Sequence, residues 1–216
     1  MSDRIVIAID GPSGSGKSTV ARLLAERAGY RFLDSGAMYR AAALLALRAG
    51  VTDADPAKLA ELLAGAEILL DGDRVLLNGE DVSTEIRTPE VTRYVSVIAT
   101  VPEVRRSMVA RQKRAYPGEN LVAEGRDIGS VVFPDADRKI YLTATPSERA
   151  RRRALETGRD PTEVLAEQRE RDARDESREH SPLVRAEGAI ELVTDGLSIE
   201  EVVGRLVAIV RGGEAE

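Results

Sequence analysis

The sequence predicts an α/β protein whose parallel sheet is covered by helices on both faces. Short runs of β-branched and aliphatic residues alternate with longer segments of helical periodicity, and such alternation is typical of parallel sheets. The predicted core strands are Arg4–Ile9, Tyr30–Leu33, Asn120–Ala123, Lys139–Leu142 and Ala189–Val193.

Several helix starts are marked by capping residues. Thr100, Thr145 and Ser198 each stand three positions before a glutamate that opens a periodic run, which is the pattern of a capping box. Thr88-Pro89 places a proline at the first position of another helix. We therefore expect helices to begin at these four places.

One region interrupts the alternation of strands and helices. Within the segment from Glu67 to Val82, the dipeptides Asp71-Gly72 and Asn78-Gly79 separate short apolar runs. Dipeptides of this kind favour hairpin turns. A small antiparallel β unit is therefore predicted as an insertion into the α/β pattern.

The composition excludes several classes of protein. A length of 216 residues suits one α/β domain with insertions, and a net charge of −6 argues against a general nucleic-acid binder. There is no cysteine, and no apolar run approaches the ~20 residues of a membrane span. Because a strand-like segment starts as early as Arg4, we expect no signal peptide and a cytoplasmic enzyme.

The segment after the first predicted strand has the spacing G-x(4)-G-K-S and opens a helix expected from about Lys17 to Ala28. In this context the backbone N–H groups of the glycine-rich loop and the helix N-terminus bind phosphates. Lys17 reaches the β- and γ-phosphates, and the Ser18 hydroxyl is a ligand for Mg²⁺. The residues predicted to bind ATP are Gly11, Pro12, Ser13, Gly14, Ser15, Gly16, Lys17, Ser18 and Thr19.

Such a loop serves kinases, GTPase switches and motor ATPases. The guanine-specificity segment N-K-x-D of GTPases is absent from the sequence. A kinase must also bind a second, often phosphorylated substrate and exclude water, which calls for mobile segments that carry positive charge.

An arginine-rich stretch between Arg149 and Arg178 meets that requirement. Arg171, Asp175 and Arg178 are spaced at i, i+4 and i+7, so we expect them on one helix face that could grip a phosphate and a sugar hydroxyl together. The alternative is a solvent-exposed helix that is stabilised by ion pairs along its surface, such as Glu148/Arg152. The phosphate loop in the same chain favours the first interpretation.

Five segments of the chain, spread over residues 7–178, resemble the bacterial cytidylate kinases. They read IAIDGPSGSGKST, FLDSGAMYR, EDVSTEIRTPEV, VAEGRDIGSVVFPDA and RERDARDESR. The resemblance implies a P-loop kinase fold, with a five-stranded parallel sheet flanked by helices, a small antiparallel β insert and an Arg-rich helical lid. It also implies a division into a core (1–35, 118–148 and 180–216), a monophosphate-binding region (36–117) and a lid (149–179).

The activity implied by the resemblance is Mg²⁺-dependent transfer of the γ-phosphoryl group of ATP to CMP or dCMP. The implied partners are these small molecules alone, with neither nucleic acid nor membrane, and the expected state is a monomer. The implied substrate-binding residues are Ser35 and Arg40 at the acceptor nucleotide, Ser96, Arg105 and Asp127 at the cytosine, Arg126, Arg171 and Arg178 at the phosphates, and Asp175 at the ribose hydroxyls.

The chemistry of cytosine is consistent with these implied contacts. A carboxylate such as Asp127 can accept from the exocyclic amine of cytosine, and a guanidinium can donate to N3 and O2. Uracil has a carbonyl where cytosine has the amine, so Asp127 would disfavour it. The alternative is that Arg105 and Arg126 pair with surface carboxylates and that Ser96 is an ordinary helical serine.

Phosphoryl transfer needs positioning and charge neutralisation more than covalent help from the protein. The residues expected to supply charge are Lys17, Arg126, Arg171 and Arg178, with no strong base. Asp34 could orient Mg²⁺-bound water or the acceptor, and the sequence leaves both roles open. The single histidine, His180, is expected in a surface or loop position.

Two other functions remain open from the sequence alone. One is a kinase with a different small acceptor, such as another nucleoside monophosphate or shikimate. The other is a nucleotide-dependent switch that binds a protein partner.

Overall fold

The computed structural model describes residues 4–178 and 182–212 of the chain, so His180 lies outside the described residues. The described residues form two compact units. Residues 4–32, 116–178 and 182–212 belong to the first unit, and Leu33–Ala115 forms the second unit. No helix in the described part of the chain combines the length and the apolar character needed to cross a membrane.

Strands and helices alternate along most of the chain. In chain order they are β1 (Val6–Asp10), α1 (Lys17–Ala28), β2 (Arg31–Asp34), α2 (Ser35–Ala49), α3 (Pro56–Ala64), β3 (Ile68–Asp71), β4 (Arg74–Leu77), β5 (Glu80–Asp81), α4 (Pro89–Ile98), α5 (Pro102–Arg114), β6 (Leu121–Gly125), β7 (Arg138–Thr143), α6 (Pro146–Thr157), α7 (Pro161–Glu176), β8 (Ile190–Val193) and α8 (Ile199–Val210). A short 3-10 helix covers Glu85–Arg87, and a π-helix covers Ile128–Val132.

The large sheet has five strands in the order β2-β6-β1-β7-β8. The strand β1 lies between β6 and β7 and pairs in parallel with both, with Ile7 opposite Val122 and Ile9 opposite Ile140. All five predicted strands are found, with bounds that differ by at most two residues from the predicted ones. The predicted five-stranded parallel sheet is therefore confirmed.

The core of the first unit lies where helices α1 and α8 pack on the sheet. Every residue of β1 and of β6 is buried, as expected for central parallel strands covered on both faces. Large aliphatic side chains fill this core, among them Ile7, Ile9, Leu24, Val122 and Leu206. Each contributes about 1.5–3 kcal/mol by its removal from water. This core makes the ends of β1 and β6 rigid supports for the loops that follow them.

The helix starts agree with the predictions at three of four places. Ser198 and Glu201 form a complete capping box at α8, and Thr88 caps α4 with Pro89 at its first position. Thr145 caps α6 by accepting the N–H of Glu148 over 3.4 Å.

The capping box predicted at Thr100 is wrong. Helix α5 begins at Pro102 and its N-cap residue is Val101, without a capping side chain. Proline at the first helical position disfavours helical geometry in the residue before it, so the helix cannot start earlier. The Thr100 hydroxyl instead donates to the carbonyl of Val97 at the end of the preceding helix.

The second unit contains the predicted hairpins as a three-stranded antiparallel sheet in the order β3-β4-β5. Asn78 and Gly79 connect β4 to β5 with φ angles of 52° and 84°. Positive φ at both positions is characteristic of a type I′ turn, which Asn-Gly favours. The predicted antiparallel insertion is therefore confirmed.

Candidate active site

The glycine-rich loop lies between the end of β1 and the start of α1. Gly11, Gly14 and Gly16 have φ angles of 153°, 77° and 87°, and a Cβ on Gly11 would lie only 2.0 Å from the carbonyl oxygen of Leu142. Only glycine fits these positions without strain. Gly16 is the N-cap of α1 and has no side chain to cap the first turn, so the positive end of the helix faces the loop.

Lys17 is buried and its ammonium group contacts the loop itself. Its Nζ donates to the carbonyl of Pro12 over 2.8 Å and to the hydroxyl of Ser15 over 3.4 Å. These two hydrogen bonds hold the lysine ammonium group inside the loop, at the place where a phosphate group would be bound.

The charge of Lys17 is poised for an anion. The pKa of Lys17 is lowered to about 7, first by burial and then by the positive charges of Arg126 and Arg171, against the opposing effect of Glu124 and Asp10. A bound phosphate would stabilise the ammonium form and reverse this shift. Three basic side chains therefore act on one position next to the loop.

The Ser18 hydroxyl donates to Oε1 of Glu124 over 2.8 Å. Glu124 is 4% exposed and lies in β6, next to β1 in the sheet. A hydroxyl beside a buried carboxylate offers the hard oxygen atoms that Mg²⁺ prefers. In the described part of the chain no three His, Cys, Asp or Glu residues cluster as a metal cage.

Asp10, at the end of β1, is a second buried carboxylate close to the loop. Its two oxygens accept the N–H groups of Ile128 and Gly129 over 2.8 and 2.7 Å. Burial raises the pKa of Asp10 to about 6, although these two hydrogen bonds and Lys17 favour the ionised form. Asp10 thus ties the loop after β6 to the strand that carries the phosphate loop.

Arg126 follows β6 directly and donates from Nε to Oδ2 of Asp175 over 2.9 Å. The other carboxylate oxygen of Asp175 pairs with Arg178. Burial disfavours the charge of Asp175, but Arg126, Arg178 and Arg171 outweigh that effect and lower its pKa. These four predicted residues therefore form one electrostatic cluster. The carboxylate that pairs with Arg126 is therefore the buried one of Asp175.

The prediction that Arg171, Asp175 and Arg178 share one helix face is wrong for Arg178. Helix α7 ends at Glu176, and Ser177 is its C-cap. Arg178 reaches Asp175 from beyond the helix end, where the chain has left the helical path. The charge cluster is formed nonetheless, because the long arginine side chain spans the last turn.

Arg149, on α6, joins the phosphate loop to α7. Its Nη1 donates to the carbonyl of Ser13 over 2.9 Å and to Oδ2 of Asp172 over 2.6 Å, and its Nε donates to the carbonyl of Ala144 over 3.1 Å. A Cβ on Gly14 would lie 2.6 Å from the Gln168 amide nitrogen. The arginine-rich helices thus pack directly on the phosphate loop.

The second unit carries the other predicted acceptor residues. Ser35 and Ser96 are buried in α2 and α4, and Arg105 is buried in α5 with its guanidinium 5.9 Å from the ring centre of Tyr39. Arg40 donates to the Thr92 hydroxyl over 2.7 Å.

Asp34, whose role the sequence left open, is the N-cap of α2. Its Oδ1 accepts the N–H of Ala37 over 2.8 Å. This hydrogen bond positions the start of the helix that carries Ser35 and Arg40.

Three residues of this site were missed by the sequence analysis. Glu124 and Asp10 each directly follow a predicted core strand, at the edge of the sheet where ligands bind in parallel sheets, and this placement was the available signal. Arg149 was noted only as part of a basic stretch. Its burial and its contacts are tertiary properties that no local pattern indicates.

A parallel α/β sheet with a glycine-rich loop between β1 and α1, and with Lys17 and Ser18 opening the helix, defines the class of P-loop kinases. The family model for cytidylate kinase matches residues 7–212. The chain belongs to the cytidylate kinase family.

Individual relatives agree with this family. A cytidylate kinase of Solibacter usitatus is 49% identical over 215 residues, which cover 96% of this chain and 93% of that protein. A bifunctional pantoate ligase/cytidylate kinase of Synechococcus elongatus is also 49% identical, and the match covers 96% of this chain but 42% of that longer protein. A crystal structure of an uncharacterized protein from Eubacterium ventriosum has a TM-score of 0.55 at 13% identity, covering 97% of this chain and 99% of that one, which supports the fold alone.

Proposed function

We propose that this protein transfers the γ-phosphoryl group of ATP to CMP or dCMP, giving ADP and CDP or dCDP, with Mg²⁺ as the required metal. The observation that carries the proposal is the glycine-rich loop between β1 and α1, in which the buried Lys17 ammonium group contacts the carbonyl of Pro12 and the charges of Arg126 and Arg171 act on the same lysine. Several cations at one place destabilise each other and are suited to a multiply charged phosphoryl group between donor and acceptor.

The donor side consists of the loop and the first turn of α1. The segment Gly11–Thr19 would bind the phosphates of ATP through the backbone N–H groups of its residues other than Pro12, and Lys17 would neutralise charge on the β- and γ-phosphates. Arg149 would not contact the phosphates. It supports the loop by donating a hydrogen bond to the Ser13 carbonyl. The loop is thereby held open for the anion.

The Mg²⁺ ion would be held by the Ser18 hydroxyl and the ATP phosphates, with Glu124 as the adjacent carboxylate, and it would supply charge neutralisation at the transferring group. The hydrogen bond between Ser18 and Glu124 supports this assignment, because it orients the hydroxyl oxygen. Glu124 also compensates part of the positive charge that gathers around Lys17.

The transferred group would be stabilised by Arg126, Arg171 and Arg178 together with Lys17. Asp175 pairs with two of these arginines and keeps them ordered in one place. Such preorganised charges need little rearrangement when negative charge develops during transfer. When the substrate binds, its phosphate would pair with the arginines in place of part of these ion pairs. Asp175 would then accept hydrogen bonds from the ribose hydroxyls.

The acceptor base would be read by a carboxylate, a guanidinium and a hydroxyl. Asp127 accepts from the exocyclic amine of cytosine, and Arg105 and Ser96 donate to its ring acceptors. Ser35 and Arg40 would face the acceptor nucleotide. The choice of cytosine rests on the family, since the same donors and acceptors could be arranged around another base.

We further propose the division into a core (1–35, 118–148 and 180–216), a monophosphate-binding region (36–117) and a lid (149–179). Closure of the lid over ATP would exclude water and prevent simple hydrolysis. A monomer in the cytoplasm is the expected state, supplied with ATP and CMP from solution.

The test is a substrate panel. The full chain is incubated with Mg-ATP and, in separate reactions, CMP, dCMP, UMP, AMP and shikimate, and ADP release is measured. We expect turnover with CMP and dCMP well above turnover with UMP or AMP. Preferred use of AMP, UMP or shikimate would assign another acceptor. If none of the five acceptors supports ADP release, the proposal is overturned.

A further inference from the structure

Asp10 caps a helix that belongs to another part of the chain. Asp10 is the last residue of β1 and is 3% exposed. Its two carboxylate oxygens accept the N–H groups of Ile128 and Gly129, the first two residues of the π-helix after β6. The first N–H groups of a helix have no partner within the helix, and here a carboxylate of the neighbouring strand supplies one for each.

The residue expected to cap this helix does not do so. Asp127 occupies the N-cap position, where aspartate is among the most favoured residues because its side chain accepts the following N–H groups. No hydrogen bond joins the Asp127 side chain to the helix start. The capping role at this helix start is therefore filled by Asp10 and not by the Asp127 carboxylate.

The fit between strand and helix leaves little room for movement. A Cβ on Gly129 would lie 3.4 Å from Oδ2 of Asp10, 3.3 Å from Cγ of Lys139 and 3.4 Å from the Cβ of Ala186. The distance to Lys139 is shorter than an ordinary van der Waals contact, and the other two are at the lower limit of one. The helix start is thus held from one side by hydrogen bonds and from the other by packing.

We propose that Asp10 is a positioning residue for acceptor recognition, which holds the start of the π-helix so that the carboxylate of Asp127 is presented to the acceptor base. The inference rests on the proposed function, in which Asp127 reads the amine of cytosine. Since Asp10 directly precedes Gly11, its side chain also connects the start of the π-helix, next to Asp127, to the phosphate loop. Without Asp10, the N–H of Gly129 becomes open to capping by the Asp127 carboxylate itself, which would turn that carboxylate toward the helix start.

The principal variant is Asp10→Asn. The amide retains one acceptor oxygen but sets its NH₂ group against a backbone N–H, so one of the two hydrogen bonds is lost. We expect the KM for CMP to rise by about tenfold or more and the preference for CMP over UMP, measured as the ratio of kcat/KM values, to fall by a similar factor. The KM for ATP is expected to change much less, because Asp10 is the weakest of the charges that act on Lys17.

A matched control is Asp137→Asn. The Asp137 carboxylate accepts the N–H of Val6 over 2.8 Å, so it also ties a loop to β1, but at the opposite end of the strand. This variant should leave the preference for CMP over UMP as it is in the parent chain. The comparison separates the anchoring of β1 in general from the orientation of Asp127.

A second variant keeps the carboxylate and disturbs the contact by crowding. Gly129→Ala has no positive φ to violate, and its methyl group would press on Cγ of Lys139 at 3.3 Å while touching Oδ2 of Asp10 at 3.4 Å. It should lower the preference for CMP over UMP in the same direction as Asp10→Asn. It also provides the readout if Asp10→Asn fails to fold.

The outcomes are distinguishable. If the parent chain turns over CMP and a folded Asp10→Asn variant keeps its KM for CMP and its preference over UMP, the inference is overturned and the proposed function stands. If the KM values for ATP and CMP rise equally with an unchanged preference, Asp10 is a general structural residue and the inference is again overturned. If the parent chain does not phosphorylate CMP, the proposed function and the inference both fail.

Discussion

Ser18 and Glu124 are joined by a 2.8 Å hydrogen bond, although 106 positions separate them in the chain. It connects the first turn of α1 to the neighbouring strand β6, beside the residues proposed to bind the ATP phosphates. The pair places a hydroxyl and a buried carboxylate where Mg²⁺ would accompany the nucleotide.

Replacement of Glu124 by glutamine should therefore raise the requirement for Mg²⁺. The amide keeps the size and one acceptor oxygen but removes the negative charge, and loss of such a supporting carboxylate typically weakens metal binding about 10–100-fold. The measurement is ADP release as a function of Mg²⁺ concentration at fixed ATP and CMP.

The control for this variant is Glu119→Gln. Glu119 lies shortly before β6, is exposed, and pairs with Arg31 over 2.6 Å at the surface. Its replacement should leave the Mg²⁺ dependence unchanged. An equal Mg²⁺ requirement in Glu124→Gln and the parent chain would remove Glu124 from the metal site.

Lys17→Met tests the buried ammonium group. Methionine fills a similar volume without the charge, so we expect kcat to fall by about 100-fold or more while the protein stays folded. The readouts are kcat with CMP and the thermal unfolding midpoint. Lys58→Met, which alters an exposed lysine on α3, serves as the control and should behave as the parent chain does. A near-normal rate in Lys17→Met would contradict the role assigned to this residue.

The fold was predictable from the sequence because its central strands are buried on both faces. Such strands appear as continuous apolar runs, and all five were located within two residues. The start of α5 was not predicted correctly, because Pro102 overrides the capping pattern that begins at Thr100. Near a helix start several residues can act as the N-cap, and the sequence pattern alone does not show which of them does.

The site was predictable only where it is local. The phosphate loop is a continuous segment, so its spacing contains the whole signal. The contacts of Asp10 with Ile128 and of Ser18 with Glu124 depend on β1 and β6 being neighbours in the sheet, and strand order is not written in any short motif. The roles of Asp10 and Glu124 therefore emerged from the structure.

Arg149→Met should destabilise the protein strongly. The guanidinium is buried and pairs with Asp172, whose carboxylate is buried as well, and its other oxygen has no hydrogen-bond partner among the described residues. Removal of one partner of a buried ion pair leaves an uncompensated charge and costs about 3–5 kcal/mol. The free energy of unfolding, measured with urea, reports this loss.

Arg153→Met is the matched control on the same helix. Arg153 is exposed and pairs with the exposed Glu156 over 3.1 Å, and surface pairs of this kind contribute about 0–1 kcal/mol. Equal stabilities of the two variants would show that the bridge from Arg149 to Asp172 and Ser13 does not stabilise the fold.

The raised pKa of Asp10 predicts a particular dependence of stability on pH. Burial raises the pKa of Asp10 from about 3.9 in an unfolded chain to about 6, so the native state retains a proton that the unfolded state has lost. Stability then falls as pH rises between these two values and becomes constant above the higher one. Asp127 and Lys17 act on the same carboxylate, and Lys17 titrates near pH 7, which is above this window.

Asp10→Asn removes this titration and isolates its contribution. The stability of the parent chain relative to the variant should decrease by roughly 3 kcal/mol between about pH 4 and pH 6, since each unit of pKa shift corresponds to about 1.4 kcal/mol. Urea unfolding of both proteins across this range measures the difference. A difference that is constant with pH, or that grows as pH rises, would contradict the burial of an ionisable carboxyl group at this position.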